Sequence, residues 1–286
     1  MGEQGRIPAP DMREGIFSIE GAYKEASRIG LNTAIDPKSL IGKHYNEQEV
    51  RADVQYANDK EGKLDADMSD HEREAIKLAK IVETVVDEQI NAGWFGPNIK
   101  TTPASKFDDI DGKVDLVAEA KVESKSGTAH VALAIDVTYS HDLKRKIHLI
   151  QEEIVRNELA TVKYYRSNSG KYVGSLRNIP RLVLGIDSSN AERLARVWFQ
   201  KNPAIKNDPV REQLLIEAID QCEAFEKFAT KVGSQKAAAS YRLLGLILQR
   251  AYGTPVTMNK RQSFSKDDKV FRQLQVMINS LDTPLQ

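Results

Sequence analysis

The fold is decided by residues 106–156, which read KFDDIDGKVDLVAEAKVESKSGTAHVALAIDVTYSHDLKRKIHLIQEEIVR. Within this stretch, residues 113–121 and 130–139 alternate apolar and polar side chains, which is the period of a β-strand with one buried face. The intervening residues 123–128 (ESKSGT) are typical of a turn. The two strands therefore pair most simply as an antiparallel hairpin.

An amphipathic helix follows the second strand, capped by Ser140 or Asp142 and ending near Asn157. Its apolar residues recur at helical spacing and are Leu143, Ile147, Ile150 and Ile154. Further on, residues 181–187 (RLVLGID) are mostly apolar, as in a strand buried on both faces. This order of elements predicts an α/β fold with a small mixed sheet flanked by helices.

Each predicted strand of the hairpin carries one aspartate, Asp115 in the first and Asp136 in the second. Both belong to the less apolar set of alternating positions, so both can project from one face of the sheet. Aspartate is disfavoured inside strands, and two neighbouring carboxylates repel unless a cation neutralises them. Oxygen ligands suit Mg²⁺ or Mn²⁺, and such an ion can activate water for attack on a phosphate. The pair therefore predicts a metal site.

The motifs G-K-V-D-L-V (112–117) and A-L-A-I-D-V-T (132–138), followed by the helix and the buried strand, resemble the PD-(D/E)xK nuclease superfamily. The resemblance covers residues 70–187 and implies a restriction-endonuclease-like αβββαβ core acting on DNA. It implies that Asp115 is the first acidic residue, that Asp136 heads the (D/E)xK tripeptide, and that both hold Mg²⁺ or Mn²⁺. The region is also similar to uncharacterised bacterial proteins with FDD-x-x-G-x-x-D and LA-x-DVT patterns.

The tripeptide departs from the family at its last position, where Thr138 stands in place of lysine. We expect a lysine from a neighbouring element to replace it, by positioning or deprotonating the attacking water and offsetting charge. Lys144 is the preferred candidate, because the start of the following helix is nearest to Asp136 in sequence. Lys146 on the same helix and Lys121 on the first strand are the alternatives.

The helix over 70–92 would lead the nuclease-like core, and its Glu83 and Glu74 are candidates for a further acidic ligand. Solvated helix glutamates are the simpler interpretation of both. The same holds for His130, which is more typical of a surface histidine than of a ligand. The acidic residues over 108–111 are explained by a turn.

A second pattern interleaves cations and aromatic rings in residues 163–166 (KYYR), with Lys171 and Arg177 nearby. Such a pattern suits base stacking and phosphate contact. An exposed edge strand explains it nearly as well. Both interpretations stay open at the level of sequence.

The chain divides into three predicted parts. Residues 1–69 form an N-terminal extension, residues 70–200 the nuclease-like α/β core, and residues 201–286 a helical C-terminal subdomain. The C-terminal subdomain contains two long helical segments with no strand signal between them. They predict an αα-hairpin that turns at Gly233-Ser234.

The segments between these elements carry weaker signals. We expect a helix over 13–29 and irregular structure over 31–69 with one short helix near 46–57. Residues 96–106 and 167–180 predict loops, and a short strand is an option near 106–110. One more short helix is expected near 266–281.

Composition sets the class of protein. The chain has 286 residues, 41% of them hydrophobic, with zero formal net charge and one cysteine, Cys222. An intramolecular disulfide and a multi-cysteine zinc site are therefore excluded. No apolar stretch has the length of a membrane span, and the N-terminus lacks the apolar core of a signal peptide. We expect a soluble cytoplasmic protein.

The sequence thus predicts a divergent metal-dependent nuclease that hydrolyses DNA phosphodiester bonds, with Asp115, Asp136 and Lys144 as catalytic residues. The alternative is a non-catalytic, nuclease-like interaction or regulatory protein. Thr138 and the zero net charge favour the alternative, whereas the paired aspartates favour the enzyme. The sequence leaves the oligomeric state open, with a homodimer among the options.

Overall fold

The structure, a computed structural model, describes residues 17–42, 44–66, 68–124, 127–139, 143–253 and 257–282. Within these residues the chain forms ten α-helices and six β-strands. The helices are α1 (Ile19–Thr33), α2 (Glu47–Ala66), α3 (Asp70–Asn91), α4 (Lys106–Ile110), α5 (Leu143–Arg156), α6 (Ser188–Phe199), α7 (Pro209–Lys231), α8 (Gln235–Tyr252), α9 (Met258–Asp267) and α10 (Lys269–Asn279). The strands are β1 (Ile99–Pro103), β2 (Leu116–Ser124), β3 (Gly127–Thr138), β4 (Ala160–Arg166), β5 (Val173–Ile179) and β6 (Arg181–Gly185).

The fold is mixed α/β, with a four-stranded sheet and a two-stranded sheet among the described residues, flanked by helices. The larger sheet has the order β1-β2-β3-β6. Neighbours are antiparallel from β1 to β3, whereas β6 runs parallel to β3. The predicted hairpin is therefore confirmed, and its register pairs Leu116 with Ile135.

The leading helix α3 begins and ends close to the predicted bounds. The Ser69 hydroxyl accepts a hydrogen bond from the Glu72 amide, and the Glu72 carboxylate accepts one from the Ser69 amide, so a capping box starts the helix. The buried face of α3 includes Leu78, Val82 and Val85, which join the main hydrophobic cluster under the sheet. That cluster also contains residues of α1, α5, α6, α7, α8 and α10. All three predicted parts of the chain thus share one core, and their division into domains stays a prediction.

The outer edge of β6 is covered by side chains instead of another strand. The Gln221 amide group donates to the Val183 carbonyl at 2.6 Å and accepts from the Val183 N–H at 2.9 Å. Glu217, one turn earlier on α7, accepts from the Gly185 N–H at 2.8 Å. Four residues of helix rise about as far as two residues of strand, so one face of α7 can follow every second residue of β6. The edge is thereby protected from pairing with another chain.

The structure corrects three predictions in the N-terminal half. Residues 47–66 form one long helix, α2, where a short helix within irregular structure was expected. Its apolar periodicity is weak because few of its side chains are buried. The strand β1 lies in the expected loop over 96–106, and it is a short edge strand ending in a proline. Residues 106–110 form the helix α4, not a strand.

In the later part of the chain, one predicted loop is wrong and one helix was not predicted. The expected loop over 167–180 contains β5, which pairs with β4 in the smaller sheet. Its exposed Arg177 and Asn178 hide the strand pattern in the sequence. The predicted αα-hairpin of α7 and α8 is confirmed, and Gly233 has the left-handed φ of 81° in its turn. The C-terminal region contains the additional helix α9.

Several expectations fall on undescribed residues. The proposed cap at Ser140 or Asp142 lies outside the described residues, as does the start of the helix expected over 13–29. Across the described residues, no helix combines the length and apolarity needed to cross a bilayer.

Candidate functional site

The structure brings the two predicted aspartates together at one end of the sheet. Asp115 immediately precedes β2, and extending the hairpin register by one residue places it opposite Asp136 of β3. Its N–H donates to the Ile135 carbonyl at 3.0 Å. Its Oδ2 accepts from the Val137 N–H at 2.6 Å. Asp136 itself is buried, with 6% of its surface exposed.

The lysine that reaches this pair is Lys146, not Lys144. The Nζ of Lys146 forms an ion pair with the Oδ1 of Asp136, whereas Lys144 is exposed. Successive residues of an α-helix are rotated by about 100°, so the two lysines lie on opposite flanks of the buried stripe of α5. Proximity in sequence favoured Lys144, but the flank that faces β3 carries Lys146.

The third candidate lysine, Lys121, does not belong to the site. It is six residues beyond Asp115, which corresponds to roughly 20 Å along an extended strand. In the hairpin register it lies opposite His130. The Nδ1 of His130 is 2.9 Å from the Glu119 carboxylate, which also accepts from the Tyr165 hydroxyl at 2.7 Å. Glu119 and His130 therefore connect β2 and β3 with β4, away from the aspartate pair.

Helix α3 contributes a carboxylate and a lysine. Glu83 accepts a hydrogen bond from the Lys80 Nζ at 2.9 Å. Burial raises the pKa of Glu83, Lys80 opposes this shift, and the charges of Asp109 and Asp136 reinforce it. The alternative ligand Glu74 is exposed on the same helix and pairs with Lys77. The sequence thus identified Glu83 as one of two options but missed Lys80, one helical turn before it.

The two central aspartates of α4 make different contacts. The Asp108 carboxylate accepts from the Ser105 hydroxyl at 2.6 Å and from the backbone N–H groups of Lys163 and Tyr164 at 2.6 and 3.0 Å. These bonds fix α4 against β4. The Asp109 side chain instead forms a hydrogen bond with the side chain of Asp115. The turn interpretation is therefore wrong for both residues, because Asp108 joins the helix α4 to β4 and Asp109 is a missed member of the site.

We call the resulting group the carboxylate cluster. It comprises four acidic residues and two lysines, namely Glu83, Asp109, Asp115, Asp136, Lys80 and Lys146.

Repulsion and burial dominate the electrostatics of this cluster. Burial, together with the charges of Glu83, Asp136 and Asp109, raises the pKa of Asp115 well above its usual range. Burial opposes the charged form of Lys80, but the neighbouring carboxylates outweigh it and raise the pKa of Lys80. With all six groups ionised, four carboxylates would face two ammonium groups. The excess of negative charge must be offset by protons or by a cation.

The donor set suits a hard divalent cation in chemistry and charge. Carboxylate oxygens are the ligands preferred by Mg²⁺ and Mn²⁺, and two positive charges would balance the excess. In this structure, however, Glu83 and Asp136 form ion pairs with Lys80 and Lys146. Among the described residues, no group of three or more His, Cys, Asp and Glu side chains is arranged to hold a metal ion.

A separate cleft of about 580 Å³ lies between α2, α4, α5 and the smaller sheet. Phe107, Asp108, Lys163 and Arg181 are part of its wall. No member of the carboxylate cluster lines it. Helix α4 contributes to both places, because Asp108 lines the cleft and Asp109 belongs to the cluster.

No family model, no curated protein and no solved structure matches this chain. The function proposed below therefore depends on the chemistry and geometry of the carboxylate cluster.

Proposed function

We propose that this protein is a divergent metal-dependent nuclease that hydrolyses phosphodiester bonds in DNA, in the cytoplasm. The observation that carries the proposal is the convergence of Asp115, Asp136 and the ammonium group of Lys146 at one end of the sheet. The element order α3, β1, β2, β3, α5, β6 also agrees with the αβββαβ core that the resemblance implies. Two insertions interrupt this order, namely α4 between β1 and β2 and the β4–β5 hairpin between α5 and β6.

In this proposal Asp115 and Asp136 would hold Mg²⁺ or Mn²⁺. A bound ion of this kind supplies an activated water and stabilises negative charge on the attacked phosphate. Lys146 takes the part that the family gives to the lysine of its tripeptide. Its ammonium group would orient the attacking water beside the Asp136 carboxylate and offset negative charge there.

The second candidate is a non-catalytic, nuclease-like interaction or regulatory protein. It is favoured by the ion pairs of Lys80 with Glu83 and of Lys146 with Asp136, which already compensate part of the buried charge without a metal ion. Thr138 at the position of the family lysine points in the same direction.

A cleavage assay separates the two candidates. Supercoiled plasmid and structured DNA are incubated with the wild-type chain in Mg²⁺, in Mn²⁺ and in EDTA, beside Asp136→Asn of verified circular dichroism. The nuclease proposal predicts metal-dependent cleavage that falls by at least about 100-fold in the variant. Equal cleavage by both proteins would remove Asp136 from the mechanism. Binding of DNA without cleavage under any of these conditions would favour the non-catalytic protein.

A further inference from the structure

Helix α2 is attached to the rest of the protein mainly by polar contacts. Among its described residues, only Val50 and Ala57 are buried. Val50 belongs to a small hydrophobic cluster whose other buried members are Leu40 and Tyr164. The helix carries six acidic and three basic residues, so it is negatively charged. A segment with so little buried apolar surface opens more easily than the core.

The acidic side chains of α2 contact two lysines of the neighbouring elements. Asp53 and Glu49, one helical turn apart, lie 2.5 and 2.7 Å from the Nζ of Lys163 on β4. Asp53 also accepts from the Tyr164 hydroxyl at 2.7 Å. Further along the helix, Glu61 forms an ion pair with Lys106 at the start of α4.

Beneath α2, Lys163 lies beside two aromatic rings, those of the partly buried Phe107 and the fully buried Tyr164. The Nζ of Lys163 is 5.4 Å from the ring centre of Phe107 and 5.5 Å from that of Tyr164. The Phe107 and Tyr164 rings are in edge contact, with their centres 5.9 Å apart. Cations interleaved with aromatic rings are the surface on which single-stranded nucleic acids bind, through phosphate contact and base stacking.

We propose that α2 is a displaceable acidic strap over a single-stranded DNA site formed by Lys106, Phe107, Lys163 and Tyr164. The carboxylates of α2 occupy the places at the two lysines that DNA phosphates would take. The choice of DNA as the partner rests on the proposed nuclease function. The site adjoins the carboxylate cluster through α4, whose consecutive residues Asp108 and Asp109 bond to β4 and to Asp115.

The contacts that hold the strap are of the kind that DNA can replace. The side chains of Lys106 and Glu61 are 42% and 52% exposed, whereas those of Lys163, Glu49 and Asp53 are 25%, 39% and 17% exposed. The exposed pair of Lys106 and Glu61 stabilises the structure only weakly, and salt screens it more than the half-buried pairs of Lys163. A polyanion that contacts both lysines at once therefore competes with them.

Two double variants that change the charge of α2 equally test the strap. Glu49→Gln with Asp53→Asn removes both ion pairs with Lys163 and keeps an acceptor for Tyr164. Glu47→Gln with Asp59→Asn is the matched control, because Glu47 pairs with Arg51 and Asp59 accepts from Gln55, both within α2. Both are made in an Asp136→Asn background and studied in EDTA, so that cleavage plays no part.

Binding is measured by fluorescence anisotropy of labelled oligothymidylate of about 16 nucleotides at low salt. We expect the Glu49/Asp53 variant to bind about tenfold more tightly than its background, and the Glu47/Asp59 control to gain much less. Adding Lys106→Gln and Lys163→Gln to the first variant should return its affinity to that of the background. If both variants gained the same affinity, the change in net charge alone would explain the effect, and the proposal would be overturned. Equal gains for a duplex would also overturn it, because paired bases cannot stack on the rings.

Hydrogen exchange on the otherwise unmodified Asp136→Asn chain gives a second test that needs no change in α2. Single-stranded DNA should speed the exchange of α2 amides and leave those of α3 unchanged. Unchanged or slower exchange of α2 would exclude displacement of the strap. The cleavage assay with metal tests the nuclease proposal independently. DNA binding in EDTA does not require catalysis, so a failure of one proposal can be distinguished from a failure of the other.

Discussion

Lys146 on α5 forms an ion pair through its Nζ with the Oδ1 of Asp136 on β3. Helix and sheet thereby meet at the aspartate pair, and an ammonium group stands beside the carboxylate that heads the D-V-T tripeptide. This contact distinguishes two lysines that the sequence presents as near equivalents.

The first prediction compares these two lysines. Lys146→Gln should lower metal-dependent cleavage of plasmid DNA by about 100-fold, since it removes the group that would act on the attacking water. Lys144→Gln serves as the matched control, because it neutralises an exposed lysine on the opposite flank of α5. Its activity should stay within about threefold of wild type. If Lys144→Gln lost more cleavage activity than Lys146→Gln, the catalytic lysine would be Lys144, as the sequence predicted, and not Lys146.

The second prediction concerns pH and Asp87 on α3. Burial raises the pKa of Asp87 to about 6, while hydrogen bonds from Thr101 and Asn91 partly oppose the shift. The folded state thus holds this proton more tightly than the unfolded chain, in which aspartate titrates near its usual value of about 3.9. The associated stability is complete below about pH 4 and is lost as pH rises through about 6.

Urea unfolding over this pH range measures the effect of Asp87. Ionisation of Asp87 should lower the free energy of unfolding by about 3 kcal/mol as pH rises from about 4 to about 8. Asp87→Asn should abolish this part of the pH dependence. Asp59→Asn, at an exposed position of α2, provides a control that should leave the profile unchanged. Parallel profiles for wild type and Asp87→Asn would show that the carboxyl group titrates normally in the folded protein.

The third prediction tests the covered edge of β6. Gln221→Leu should lower the free energy of unfolding by about 2–4 kcal/mol, because it leaves the buried N–H and C=O of Val183 without partners. Gln249→Leu is the corresponding change at an exposed position of α8 and should cost less than about 0.5 kcal/mol. Chemical denaturation of both variants provides the comparison. Equal stabilities would mean that water or a shifted backbone satisfies the edge.

The fourth prediction addresses the approach of α10 to the sheet. A Cβ added at Gly185 would lie 2.5 Å from the Cγ1 of Val270, closer than two carbon atoms can pack. Gly185→Ala should therefore destabilise the protein by about 1–3 kcal/mol. In the double variant with Val270→Ala the clash is absent, so the two losses should be less than additive by at least about 1 kcal/mol. Additive losses would indicate that the contact with Val270 is not the cause.

Much of the fold could be predicted because its signals are local. The alternation over 130–139, the apolar stripe of α5 and the glycine turn at Gly233 each depend on a few neighbouring residues. The failures share a different cause. Helix α2 has few buried side chains, and β1 and β5 are short strands at sheet edges, so burial leaves no clear periodicity in their sequences.

The same division applies to the candidate site. The sequence by itself predicted that Asp115 and Asp136 can share one face of a hairpin, because successive side chains of a strand alternate between its two faces. Only the tertiary structure decided that Lys146, Lys80, Glu83 and Asp109 surround them. Which flank of α5 meets β3, and which carboxylate of α4 meets Asp115, depends on how separate elements pack. That packing is governed by burial over the whole core and leaves no local pattern in the chain.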